Sequence, residues 1–133
     1  MSSSDYVYKK NLGDVDFDEA VEQVTSALSE AGFGVLTEID VKATLKKKLD
    51  ADFRDYTILG ACNPELAYQG LQDEPTLGAL LPCNVVVQRA EDDSGVEVDI
   101  LKPEKMFEVV DNEAVQPVAD DANERLQRVL ESL

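Results

Sequence analysis

An α+β fold with a mostly antiparallel sheet is predicted by three observations. Two long segments, one near each end, carry apolar residues at helical spacing along a single face. These are Ala20, Val21, Val24, Ala27, Leu28 and Ala31 in the first, and Val118, Ala122, Leu126, Val129, Leu130 and Leu133 in the second. Five short stretches have strand character, two of them joined by a polar turn. The strand, helix, four strands, helix order suits a sheet with both long helices on one face. Finally, Val85, Val86 and Val87 are consecutive, so that strand is apolar on both sides. The face away from the helices then calls for a cover, a second sheet or a homodimer, with the homodimer expected and the short helical inserts as the alternative.

The elements follow in order. Tyr6 to Lys10 alternates and reads as the first strand. Asp16 can accept from the first-turn NH groups of a helix, with Glu19 completing a capping box. Gly32 stops that helix. Phe33 to Ile39 is the second strand. Asp40 caps a short helix from Val41 to Leu49, with Val41, Leu45 and Leu49 as its stripe. Tyr56 to Ala61 is an apolar run bounded by breakers, hence a buried strand. Asn63-Pro64 reads as an N-cap followed by the first helical residue. That helix runs to about Leu71, and a Pro- and Gly-containing loop spans Asp73 to Leu80. Asn84 to Arg89 and Val96 to Leu101 form a hairpin around Glu91-Asp92-Asp93-Ser94-Gly95. Pro103 begins a short helix to about Val109, and the last helix opens near Pro117. The four tyrosines, Tyr6, Tyr8, Tyr56 and Tyr68, are expected in the core or at an interface.

The 133 residues suit one domain with a real core. The formal net charge is −16, from 28 acidic and 12 basic residues, which argues against nucleic acid and anionic membranes as partners. The acids recur along the whole chain rather than in a tail. Such a coat is the signature expected of a halophile's cytoplasmic protein, with an ordinary acidic mesophilic protein as the alternative. No apolar stretch is long enough to span a membrane, since Pro82 and Asn84 break the run from Leu77 to Val87. The opening Met1-Ser2-Ser3-Ser4-Asp5 lacks the basic and apolar regions of a signal peptide. The expected location is therefore the cytoplasm, where thiols are usually reduced.

The motifs Gly32-Phe33-Gly34-Val35-Leu36-Thr37-Glu38-Ile39-Asp40, Ile58-Leu59-Gly60-Ala61-Cys62-Asn63-Pro64 and Leu80-Leu81-Pro82-Cys83-Asn84-Val85-Val86-Val87 occur in this order. Together they resemble domain-of-unknown-function family 302. The resemblance covers nearly the whole chain. It implies a TATA-binding-protein-like arrangement of strand, helix, four strands and helix, often as a homodimer. It implies no activity.

Chemistry is narrowed by what is missing. The chain has no histidine, so Ser-His-Asp triads, Cys-His proteases and histidine-ligated zinc are excluded. No Cys-x-x-Cys pair and no glycine-rich phosphate loop occurs. The two cysteines, Cys62 and Cys83, sit in twin contexts, each followed by asparagine where an apolar run meets a breaker. Cys62 would lie just before a helix N-terminus, where the dipole favours a thiolate. If the two strands are antiparallel neighbours, both thiols reach the same end of the sheet.

Three readings of these thiols stand. One is a binding or sensing module for a small ligand or a soft metal, with Asn63 and Asn84 orienting the ligand. Another is a thiol-dependent redox enzyme with Cys62 as nucleophile and Cys83 as resolving thiol. The last is a structural or interaction domain in which the cysteines only pack. Beside them, Lys42 and Lys46 share a helix face and suggest an anion-binding patch at a pocket rim. A solvated face balancing Asp50 and Asp52 is the simpler reading. Glu38 and Asp40 are a carboxylate pair on one side of a strand, though Asp40 serves more simply as a cap.

Overall fold

The computed structural model describes residues 5–133; the opening tetrapeptide, on which the signal-peptide reading partly rests, lies outside the described residues. The strands are β1 (Val7–Asn11), β2 (Gly34–Asp40), β3 (Tyr56–Cys62), β4 (Cys83–Arg89) and β5 (Val96–Leu101). The helices are α1 (Phe17–Glu30), α2 (Val41–Leu49), α3 (Pro64–Asp73), α4 (Pro103–Met106) and α5 (Gln116–Ser132). The strands form one sheet in the order β1-β5-β4-β3-β2, and every neighbouring pair is antiparallel. The fold is thus α+β with the order read from periodicity.

Local chemistry sets the helix starts. Asp16, Asp40 and Asn63 have extended backbones, and their side chains accept from the NH groups of Glu19, Ala43 and Leu66. Each such bond pairs an amide that the helix itself leaves unpaired. Behind α1 the chain turns at Gly32, whose φ of +89° lies where a side chain is strained. The loop expected between Asp73 and Leu80 is instead a 3-10 turn, Pro75–Leu80. Burial of Leu77 in the core holds it in place.

The pleat divides the sheet into two faces. Leu59, Val85, Val87, Val98 and Ile100 point to the helical side, where they meet Val24 and Leu28 of α1 and Leu126 and Val129 of α5; all nine are buried in one core. This burial is the main stabilising contribution, at about 1.5–3 kcal/mol per large apolar side chain. Among the described residues no helical layer lies on the other face. One of its cross-strand rows runs Lys9, Asp99, Val86, Ile58, Ile39, and another runs Asn11, Glu97, Gln88, Tyr56. Of the tyrosines, Tyr8 packs against the core and donates to Asn123 of α5 at 2.5 Å. Tyr6 and Tyr68 are exposed, so the core expectation fails for them: neither lies on the helical face of a strand or the inner stripe of a helix.

Candidate functional site at the cysteine end of the sheet

β3 and β4 are antiparallel neighbours, so Cys62 ends one strand and Cys83 begins the next at the same end of the sheet. The register pairs Cys83 with Ala61, one residue short of Cys62. Cys83 therefore points to the helical side and is only 8% exposed, whereas Cys62 is half-buried at the strand's last position. Both are free thiols. Both line a small cavity of about 30 Å³ between the sheet end, α3, α4 and α5. Its other walls include Phe33, Leu66, Leu77, Met106, Phe107 and Val118.

Asn63 fixes the mouth of this cavity. Its Oδ1 accepts from Leu66 N at 3.1 Å and starts α3. The same side chain closes over Gly32: a Cβ built there would lie 2.9 Å from Asn63 Nδ2 and 3.1 Å from Arg125 Nη1. Arg125 in turn donates to the Ala31 carbonyl at 3.1 Å and pairs with Asp121 at 2.8 Å. The C-terminus of α1, the N-terminus of α3 and the middle of α5 thus converge at this corner.

The electrostatics differ in sign from the helix-dipole expectation for Cys62. Burial pushes the Cys62 thiol above its ordinary value rather than below it. Burial also pushes Cys83 up to about 11, and the neighbouring Cys62 charge adds to that shift. Taking a thiolate out of water disfavours the charged form, and that is the main cause of both shifts. At neutral pH both groups are protonated and weakly nucleophilic.

The remaining sequence candidates lie elsewhere. Asn84 is exposed and sits opposite Gly60 on the face away from the helices, outside the cysteine cavity. Lys42 and Lys46 stand near the start of β3, at the opposite end from Cys62. Lys42 pairs with Asp55 at 3.3 Å, and Lys46 pairs with Asp50 at 2.9 Å and Asp52 at 3.3 Å. Lys42 does border a cleft, a wide one of about 650 Å³, but its lining carries Asp18, Glu22, Glu38, Asp40 and Asp55. Five carboxylates around one ammonium repel an anion, so the lysines act as local balance to acids. Glu38 and Asp40 do face that cleft together, with Asp40 committed to Ala43 N at 2.9 Å.

Two features escaped the sequence reading. Met106 lines the cysteine cavity from a helix some forty residues downstream of Cys62, and nothing local to it signals that contact. On the open sheet face, Asp99 is 7% exposed and accepts from Gln88 Nε2 at 2.7 Å and Lys9 Nζ at 3.2 Å. Burial raises its pKa, and its hydrogen bond with Glu97 raises it further while lowering Glu97. Arg54 extends the network by donating to Gln88 Oε1 at 3.0 Å.

Comparison with known proteins adds two findings. A family model described as "Domain of unknown function DUF302" matches residues 8–133. The crystal structure of an uncharacterised conserved DUF302 protein from Bacillus stearothermophilus is similar at 27% identity, with a TM-score of 0.86 over 96% of this chain and 98% of that one. None of the curated proteins matches. The family match runs from the first strand to the last residue, and the solved relative has the same fold along the same span: this chain belongs to the DUF302 family.

Proposed function

We propose that the chain is a non-catalytic binding or sensing module whose site is the cavity lined by Cys62 and Cys83, and that its ligand is a soft metal ion rather than an organic molecule. The observation that carries this is the cavity itself: Cys62 and Cys83 both contribute to the walls of one apolar space of about 30 Å³. A space of that size has room for a single ion or another small guest. Among the described residues no group of three or more His, Cys, Asp or Glu is placed to hold a metal. Burial holds both thiols protonated, so a nucleophilic role needs a proton lost first, and a metal ion has to displace both protons to bind.

Thermal melts test the proposal. Cu(I) delivered from a chelator complex is expected to raise the midpoint of the wild-type protein by mass action, since a ligand that binds only the folded state stabilises it. The same addition is expected to leave Cys83→Ser unmoved. A wild-type midpoint that ignores Cu(I), or a rise of equal size in Cys83→Ser, returns the cysteines to packing.

A further inference from the structure

We infer that the wide cleft between α1 and the end of β2 binds a linear aliphatic polyamine. The site is independent of the cysteine cavity, which lies at the other end of β3. Cross-strand register sets its floor: Glu38 stands opposite Leu59, Asp40 opposite Thr57, and Thr57 opposite Val87. Directly opposed side chains share a face of the sheet, so Glu38, Asp40 and Thr57 all point to the helical side. The facing wall is α1, with Asp18 and Glu22 one turn apart beside Phe17 and Val21, which also pack against the core. Thr57 is the residue that points to a ligand. It is only 6% exposed, and among the described residues no hydrogen bond takes its hydroxyl. No polar side-chain atom among them is both sealed from solvent and unpaired, so that hydroxyl keeps an opening, and the space Thr57 borders is this cleft.

Charge and its spacing decide what enters. Asp18, Glu22, Glu38 and Asp40 take part in none of the ion pairs among the described residues. The cleft's own lysine, Lys42, is drawn to Asp55 at 3.3 Å and leaves the β2 acids without a cation. Asp40 gives one oxygen to Ala43 N at 2.9 Å and keeps the other free. Thr25 donates its hydroxyl proton to the Val21 carbonyl at 2.9 Å, so it offers the cleft lone pairs alone. An ammonium group donates and never accepts, which complements these oxygens. The acids do not converge on a point, since among the described residues no group of three or more His, Cys, Asp or Glu is placed to hold a metal. A compact ion therefore meets few of them. A chain of amines reaches several at once and lays its methylenes on Phe17 and Val21. The cleft's volume of about 650 Å³ falls within the roughly 300–1,000 Å³ of small-molecule sites.

Calorimetric titration of the full chain at fixed ionic strength compares spermidine with hexaamminecobalt(III), a compact cation of equal charge. Spermidine is expected to fill one saturable site, about tenfold or more tighter than the cobalt complex. Glu38→Gln is expected to weaken it roughly threefold to fivefold, the scale of one exposed ion pair. Thr57→Val keeps the shape and removes the hydroxyl; a loss of about tenfold is expected, the scale of a hydrogen bond to a charged group. Glu131→Gln, on the last turn of α5 and outside the cleft, is expected to bind as wild type does. Should Thr57→Val melt poorly, amide NMR shifts of the wild type on adding spermidine give the same answer, with movement expected at Glu22, Glu38 and Thr57 and none around Glu131. Equal affinity for the two cations, or equal losses in Glu38→Gln and Glu131→Gln, means that the acidic coat only gathers counterions and overturns the site. Unchanged affinity in folded Thr57→Val, or shifts spread evenly over the chain, overturns it too. None of these outcomes bears on Cu(I) at the cysteines, so the two proposals fail separately.

Discussion

At Cys83 the surroundings set the chemistry. Burial carries its pKa from 9.0 up to about 11. An acid whose folded pKa is raised contributes stability that is complete below the unfolded pKa and is lost as pH climbs through the folded one. The window here runs from pH 9 to 11, and the loss across it is about 2–3 kcal/mol at 1.36 kcal/mol per unit. Urea midpoints at pH 8 and pH 11 check this against Cys83→Ala, whose decline is expected to be shallower by that amount. The placement of both cysteines was legible in the sequence, because Asn63-Pro64 and Pro82 mark the strand ends by local rules. The sign of the Cys62 shift was not. The burial behind it depends on distant segments: the cavity there is walled by Phe33, Leu77 and Met106, which only the folded chain brings together.

Among the elements, those governed by near neighbours were readable and those governed by distant ones were not. The three capped helices begin where Asp16, Asp40 and Asn63 said they would, since a cap needs only the next three residues. The turn at Pro75–Leu80 was read as a loop because its order depends on Leu77 reaching the core. The Lys9–Asp99–Gln88–Arg54 network depends on cross-strand register, which periodicity does not supply. Register also explains Gly60, whose missing side chain leaves room for Thr37 and Pro82. Asn63→Ala is expected to cost about 1 kcal/mol for the lost cap, and Asn63→Asp much less, since the carboxylate still accepts from Leu66 N. Denaturant midpoints of the two variants, measured side by side, separate the cap from simple packing; equal losses argue against it.

For the whole molecule, charge and the open sheet face dominate. The net charge of −16 makes the folded chain repel itself, and salt screens that repulsion. Melts in molar and millimolar KCl are expected to show a higher midpoint in molar salt; equal midpoints remove any halophilic role for the acids. No helix among the described residues is long and apolar enough to cross a membrane. The uncovered face presents Ile39, Ile58 and Val86 in one row beside the Lys9–Asp99 pair. Our proposal of a homodimer across that face predicts twice the chain mass by sedimentation in high salt, and a monomer at micromolar concentration defeats it.

The strand order also imposes a timetable. β2, β3, β4 and β5 are neighbours in sequence as well as in space, so each can pair soon after its predecessor is made. β1 alone must wait for β5; Lys9 and Glu97 meet across a separation of 88 residues. Closing that span costs chain entropy before any contact repays it. Within this sheet the strand made earliest is thus the last able to find its partner, and until then Val7 and Tyr8 have no sheet to join. Pulse-labelled hydrogen exchange during refolding should record this as protection of β3 and β4 amides ahead of those in β1.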